Sequence, residues 1–567
     1  MKNILLILAC SLFFYSCEDF LNLKPQGMEN SDNYMNTEDN AIRVVNGMYD
    51  LLGQSEGKAP DGRWLDHHYE FFLGSMVTDD SEKGSKPSDG GGLIELLNWS
   101  INPSTTLCNA FWIHGYWGIS RANYVLTNLP NSPIDDTLKN RLMGEAYFMR
   151  GYWYFYLLKH FGGVPLLEEP VQPSQYGKIN RATLHETFMQ IEKDLSEAIK
   201  LLPERSEYAA TDMGRATKGA ARGYMARVLS YQLGIDSECD KTWQNVYDQT
   251  SAIITSGEYK LVSNFATLFE EENKNTEESI FEIQCLEGTA YDAPASLGTA
   301  YYYFQANRVE NKGANSGYGF NNPTENLVQA FDPTDPRLSC TVYGIGYNSG
   351  ILYGTKLKYD RTQQSTNYFN RKAALAEKPN ISKSSNRNVL LMRYGEIYLM
   401  HAEACFYLNK EEEAREYINY IRARARQSTL CRGFNEGDLT GYPALVSVPN
   451  LPDVTSTGEE LLHAIWHERR LELAMENLRG WDLIRTGRFL DVTSKVKDTD
   501  RLNNTGDDEP RYPNYRENCL RHCIQGKGGI YIPVLPLPLS EVQSWGLERS
   551  EERRVGKECR SRWSPYH

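Results

Sequence analysis

The chain has 567 residues, 41% of them hydrophobic and 24% charged, with a formal net charge of −14. No Pro/Gly/Ser-rich linker or low-complexity stretch divides it, so one large, elaborated domain with a sizeable core is expected. The acidic balance argues against a nucleic-acid partner, whose phosphates would repel it.

The N-terminus carries the first predicted element. Lys2 precedes the apolar run Ile4–Tyr15, which is too short to span a bilayer. Ser16 and Cys17 follow, and then Glu18 and Asp19 end the apolar stretch. A charged start, a short apolar core, a small residue and a Cys form the layout of a bacterial lipoprotein signal. Residues 1–16 are therefore read as the signal and Cys17 as the acylated first residue. Phe14 stands where Leu is usual; Ile7-Leu-Ala-Cys10 fits the local pattern better but leaves too little apolar length before it. An acyl chain partitions strongly into lipid, so the mature protein should be tethered to a membrane. No later segment is long and apolar enough to span one.

Residues 53–110 read as an irregular insertion. Helical patterning then takes over at Arg141–Phe161, closed by Gly162-Gly163 and Pro165. Leu184–Leu202, Lys218–Leu233 and Thr242–Ser256 follow, and later Val389–Leu408, Glu411–Arg426 and Glu459–Asn477. Helices arriving in pairs predict stacked hairpins, and Ala198 with Pro203 resembles the close of a tetratricopeptide unit. Between the two helical blocks, roughly Gly257–Asn388 is rich in Gly, Asn, Pro and Tyr and lacks helical periodicity. A helical scaffold with two long insertions is a usual way to present a binding surface.

Of the eleven cysteines, Cys519 and Cys523 form the closest pair, without a second cluster to complete a zinc site. A local disulfide or two free thiols is the expected state, and no metal or cofactor is read from the chain. Arg549–His567 has six Lys/Arg, three Asp/Glu and one aliphatic residue, Val555. It reads as a non-native tail outside the fold; without it and Lys2 the formal charge is about −18. Truncation after Leu547 is expected to leave the melting temperature unchanged, and a drop of several degrees would make the tail part of the fold.

Glu459–Asn477 carries the sharpest chemical signal. Leu461, Leu462, Ile465, Trp466 and Leu473 share one face with Arg469, Glu472, Glu476 and, just beyond, Arg479. Paired carboxylates suggest glycoside hydrolysis. Each Glu also lies three or four residues from an Arg, which suggests a structural ion network instead, and that reading is preferred.

The same segment carries a resemblance. His467-Glu-Arg-Arg-Leu-Glu-Leu-Ala-Met-Glu-Asn-Leu-Arg-Gly-Trp-Asp-Leu-Ile-Arg-Thr-Gly487 resembles the signature of the SusD/RagB family of outer-membrane nutrient-binding lipoproteins. Cys17–Pro25, Trp117–Asn123, Phe148–Tyr156 with Phe161–Pro165, and Ala216–Ala221 are similar to other parts of that family. So are Gly319–Thr324 leading to Asp335-Pro-Arg337, Arg393–Glu403 and Ile421–Ala425. After Ile532–Gln543 relatives close with an Asn-Pro-Gly-like end, which is absent here. The resemblance implies an all-α-dominated, SusD-like domain over 17–548, with tetratricopeptide-type helix pairs as scaffold and long irregular insertions, about 53–110 and 257–388, as the ligand face. It implies a non-enzymatic, lipid-anchored lid on the cell surface, over a SusC-like TonB-dependent outer-membrane β-barrel. Such a lid captures an oligo- or polysaccharide, or a peptide in RagB-like members, and delivers it for import.

The 36 Tyr against 20 Phe suit such a role, because Tyr joins a flat apolar face to a hydroxyl. Tyr147, Tyr152, Tyr154, Tyr156, Tyr394 and Tyr398 are expected to pack helices instead. Candidate ligand contacts lie in the insertions. Tyr318 precedes the Gly319–Thr324 loop, and Tyr301 lies in Thr299–Phe304, with Tyr302 and Tyr303 as register alternatives. Trp64, Asp66, His67 and His68 precede Phe71–Asp80. Lys83–Gly92 lacks the aromatic that starch-binding relatives place there, which argues against starch. Trp99 and Trp112 are assigned to the core.

The rival of another class is a surface glycoside hydrolase using Glu472 and Glu476, or Asp79 and Asp80. Carboxylates one helical turn apart project the same way, whereas a glycosidase pair must flank the bond. No Ser/His/Asp order or His-Glu-x-x-His motif appears. A third reading is a tetratricopeptide adaptor that binds only protein.

Overall fold

The computed structural model describes residues 34–53, 57–58, 64–65, 72–86, 88–175, 177–286, 299–308, 317–344, 351–356, 364–376, 385–435, 437–496, 512, 514–545 and 547. Expectations for the signal, Cys17, Asp66, His67, His68 and the 549–567 tail lie outside these residues.

The fold is dominated by α-helix, as the periodicity implies. Thr106–Asn128, Asp136–Phe161, Leu184–Leu201, Lys218–Ile235 and Trp243–Ser256 pack each against the next in chain order. Leu184–Leu201 shows why such helices form. Thr183 and Glu186 make a reciprocal capping box, and Phe188, Ile191, Leu195 and Ala198 bury one stripe before Pro203. Asp136–Phe161 is different: Asp135 caps its N-terminus, and it is buried on nearly every side from Phe148 to Leu158. It is the axis of the core. Tyr152, Tyr154, Tyr156 and Tyr394 are buried in that core, and Tyr147 and Tyr398 pack against it.

The second helical block, Tyr394–Tyr407, Glu411–Gln427 and Gly458–Glu472, continues the stack without a break. Trp243 and Tyr407 stack face to face at 4.3 Å across the junction, and Tyr247 lies 4.7 Å from the His401 ring. The long middle segment therefore loops out of a scaffold that is continuous in space.

Three boundaries differ from expectation. Val389–Arg393 is not the start of a helix. It is a strand paired antiparallel with Ser279–Ile283, which supplies the hydrogen bonds a helix would otherwise need. The insertion expected over 53–110 already contains the helix Gly91–Leu97 and the start of Thr106–Asn128. The helix expected over Glu459–Asn477 ends at Glu472, because Met475 and Asn477 take φ of 63° and 64°, the left-handed region. A new helix, Arg479–Arg485, starts from that break.

Six two-stranded sheets complete the described residues. Trp99 and Trp112 lie in the core, Trp99 donating to the Tyr515 hydroxyl at 3.2 Å. Cys519 and Cys523 are buried free thiols with sulfurs 4.0 Å apart, so the disulfide alternative does not hold.

Candidate functional site

The two insertions meet in one short ladder. Ser81–Gly84 pairs antiparallel with Phe320–Pro323, Ser81 opposite Pro323 and Gly84 opposite Phe320. Gly84 has φ of 67°, and a Cβ there would stand 2.1 Å from the Gly319 carbonyl oxygen, so the strands close this tightly only with glycine. A second set of backbone bonds seats the aromatic segment. Tyr318 N–H donates to the Tyr303 carbonyl at 2.9 Å, Gly317 to Asn307 at 2.8 Å and Gly319 to Ala306 at 2.8 Å. Gln305, buried beneath, accepts from Asn321 at 2.7 Å and Asn370 at 2.9 Å.

This frame brings Tyr303 and Tyr318 together. Both are half-buried, with ring centroids 5.1 Å apart and planes at 84°. Phe304 and Phe320 lie beneath Tyr318. A polar rim stands beside the rings. Arg308 pairs with Asp89 and donates to the Ser85 hydroxyl at 2.6 Å, while Ser85 donates to Asp89 at 2.7 Å. Lys83 donates to the Lys86 and Asp89 carbonyls at 2.7 and 3.1 Å and lies over the Phe320 ring. Burial brings its ammonium down to about 8, with Asp89 opposing that shift and Arg308 adding to it. Apolar ring faces bordered by fixed donors and acceptors suit a ligand with both C–H and hydroxyl surfaces. The rim residues were not singled out in the sequence, because Asp89 and Arg308 are far apart and unremarkable singly.

Tyr301 goes elsewhere. The run Tyr301–Gln305 is a helical turn rather than an irregular loop, and two residues of helix set Tyr301 and Tyr303 on opposing sides. The Tyr301 hydroxyl accepts from the Asn477 amide at 3.0 Å. Its ring is half-buried and lines a partly open pocket with Tyr152, Tyr224 and Trp481, and desolvation raises its hydroxyl pKa. Tyr302 is buried and turns inward as well. Trp64 lies in the strand Trp64–Leu65, paired with Gly57–Lys58.

Beneath this face lies a buried ion network, and its pairing corrects the local scheme expected from i, i+4 spacing. Glu472 does not pair with Arg469 or Arg479. It accepts from Arg337 at 2.9 Å, from Arg393 at 2.6 Å and from Arg424, all buried. Burial alone would raise its pKa, but Arg424, Arg393 and Arg337 outweigh that and hold it well below the carboxylate range. Glu476 is held by Arg393 at 2.8 Å and Lys372 at 2.7 Å. Arg469 instead joins Glu396 at 3.0 Å to Asp482 at 2.7 Å. Arg479 takes Asp79 in a two-pronged bond, both distances 2.9 Å, and Arg470 reaches Asp80 at 2.8 Å. Burial again opposes ionisation of Asp79, and Arg470 and Arg479 prevail, holding it at about 2. Of the four carboxylates in the hydrolase reading, Glu472, Asp79 and Asp80 are buried and Glu476 is partly buried, and each has a guanidinium or ammonium partner. Asp80 differs in that its Oδ2 has no hydrogen-bond partner among the described residues and burial raises its pKa.

The segment at the centre of this network, 467–487, lies within a longer stretch that known proteins match. A family model described as SusD family matches residues 277–545. A second, described as starch-binding associating with outer membrane, matches residues 19–229. The chain belongs to the SusD/RagB family. Among curated SusD-like relatives, SusD-like protein P38 of Formosa agariphila is 25% identical over 508 residues, 85% of this chain and 90% of that protein. Starch-binding protein SusD of Bacteroides thetaiotaomicron is 25% identical over 239 residues, 42% of this chain and 40% of that one. A solved laminarin binding SusD-like protein superposes with a TM-score of 0.68 at 25% identity, covering 90% of this chain and 98% of that chain. Surface glycan-binding protein A from Bacteroides thetaiotaomicron, solved with laminarihexaose, gives 0.67 at 20% identity, covering 89% and 97%, and supports the SusD-like fold.

Proposed function

We propose that this SusD/RagB chain is a cell-surface glycan-binding lipoprotein. It captures an oligo- or polysaccharide on the Tyr303–Tyr318 face and passes it to a SusC-like TonB-dependent β-barrel. The observation that carries this reading is the pair of half-buried rings bordered by Arg308, Asp89 and Ser85, at the point where the two insertions are joined. The relative named for laminarin binding makes laminarin-type oligosaccharides the first probe, with malto-oligosaccharides second. The protein breaks no bond in this scheme, since Glu472, Glu476, Asp79 and Asp80 are occupied as ion-pair partners.

The test is calorimetric titration of the purified chain with both oligosaccharide series, followed by product analysis after prolonged incubation. Saturable binding with sugars recovered at full length supports the proposal. Shorter sugars would indicate a hydrolase. Binding of peptides in place of sugars would favour a RagB-like peptide carrier.

The anchor is tested separately. Cys17→Ala should release the protein from the membrane fraction, because the acyl chains are its only lipid contact in this reading. Sedimentation of the Ala variant with outer membranes in cells lacking the barrel would overturn the lipoprotein assignment.

A further inference from the structure

His401 and Cys405 stand one turn apart on Tyr394–Tyr407, so both project from one face. Glu413 faces them from the next helix, Glu411–Gln427. One ligand atom from each lies within 4.8 Å of the others: a ring nitrogen, the thiol sulfur and a carboxylate oxygen. The cluster sits where the two helical blocks join, beneath Tyr247 and Thr250 of Trp243–Ser256.

The environment has the features of a metal site. The Thr250 hydroxyl lies 2.8 Å from His401 Nδ1 and fixes the ring, which directs Nε2 to Glu413 Oε1 at 3.2 Å. An outer partner on the far ring nitrogen is how metal-bound histidines are oriented. Imidazole, thiolate and carboxylate together favour zinc over magnesium or calcium. Zinc bonds of about 2.0–2.3 Å place tetrahedral ligand atoms roughly 3.3–3.8 Å apart, so side-chain shifts of about 1 Å close the present spacing. The Glu413 side chain is 31% exposed, which leaves an entry path and room for a water as fourth ligand.

Two neighbours compete. Tyr247 donates to Glu413 Oε1 at 3.0 Å, and Lys410 lies 3.6 Å from Oε2. Lys410 is 40% exposed and can swing away. The ordinary alternative is a buried His–Glu hydrogen bond beside an inert thiol.

We propose that His401, Cys405 and Glu413 bind one zinc ion that clips the two helical blocks together. An ordinary cysteine thiol is protonated at neutral pH. Binding therefore forms a zinc–sulfur bond and releases the thiol proton to solvent, so affinity rises with pH.

The experiment uses the purified full chain after chelator treatment, titrated with Zn²⁺ and with Co²⁺ as a spectroscopic stand-in. One equivalent of metal, proton release, a thiolate-to-cobalt charge-transfer band and a higher melting temperature are expected. Cys405→Ser should abolish the charge-transfer band, and Thr250→Val should weaken zinc by about tenfold through loss of the orienting bond. Glu413→Gln, at a half-exposed position, should melt like wild type in chelator yet lose the zinc-dependent rise. The proposal is overturned if the wild type takes up no stoichiometric zinc. It is equally overturned if Cys405→Ser and Glu413→Gln bind zinc as wild type does, which would place the metal at other cysteines. Glycan binding is not a readout in any of these arms, so they stand or fall apart from the proposed function.

Discussion

Glu472→Gln is expected to destabilise the fold by about 3–5 kcal/mol, the scale of breaking a buried ion pair from one side. The substitution keeps shape and removes charge, leaving Arg337, Arg393 and Arg424 facing a neutral amide. Their other partners, Glu468, Glu278, Asp335 and Glu476, remain, but Glu468 and Glu476 are shared with Arg422 and Lys372, so five cations then face four carboxylates. Arg337 and Arg393 are among the largest fully buried side chains, so water cannot take over. These three arginines come from separate parts of the chain, and one carboxylate joins them to Gly458–Glu472. The loss should appear as a lower denaturation midpoint with an unchanged slope.

The sign of the pH effect follows from the same geometry. The folded pKa of Glu472 is depressed below its ordinary 4.5, so its contribution is fully present above that value. It falls away as pH drops below 4.5 toward the depressed folded value. Wild type should therefore lose stability on acidification more steeply than Glu472→Gln in that range. A variant that matches wild type in midpoint at neutral pH would show that the network is not a stabilising centre. Loss of a glycan-cleaving activity in a well-folded Glu472→Gln protein would instead promote the hydrolase reading.

The helical scaffold was legible where local signals agree. Leu184–Leu201 has a capping box, an apolar stripe and a terminal Pro, and each can be read without knowing a partner. Val389–Arg393 was not legible as a strand. Its apolar run suits helix or strand equally, and the choice is made by Ser279–Ile283, a hundred residues away in the chain. The ion network shows the same limit. Spacing correctly placed Glu472 and Glu476 among arginines on a core face, but it suggested neighbours one turn away. The partners come from Arg337, Arg393 and Arg424, and only tertiary structure brings these together. Among the candidate ligand contacts, Tyr318 is singled out by its place beside the Gly319–Thr324 loop, and Tyr301 is the first choice in its run with Tyr302 and Tyr303 as alternatives, whereas the structure sets Tyr303 against Tyr318. The phase of Tyr301–Phe304 could not be read, because four consecutive aromatics carry no periodicity. The rim is the least legible part: Asp89 and Arg308 acquire meaning only through the Ser81–Gly84 and Phe320–Pro323 ladder.

Tyr318→Ala and Tyr303→Ala should each weaken oligosaccharide binding by about 1–2 kcal/mol, roughly fivefold to thirtyfold, the scale of one aromatic contact with its buried area. All three rings, Tyr301 included, are half-buried; Tyr303 and Tyr318 are set apart by their contact with each other beside the Arg308–Asp89–Ser85 rim. Because the rings contact each other edge to face, the double variant should lose less than the sum of the single losses. Tyr301→Ala is the contrast within the same run. It removes the acceptor for the Asn477 amide and enlarges the partly open pocket lined by Tyr152, Tyr224 and Trp481, so stability should fall while affinity of the folded fraction is retained. Tyr301→Phe isolates the hydroxyl and should cost about 1 kcal/mol of stability. Calorimetry for affinity and denaturant unfolding for stability, run on all of these variants, separates the two roles. Weakened sugar binding in a stable Tyr301→Ala protein, with Tyr318→Ala and Tyr303→Ala unaffected, would move the ligand from the outer rings to the partly open pocket.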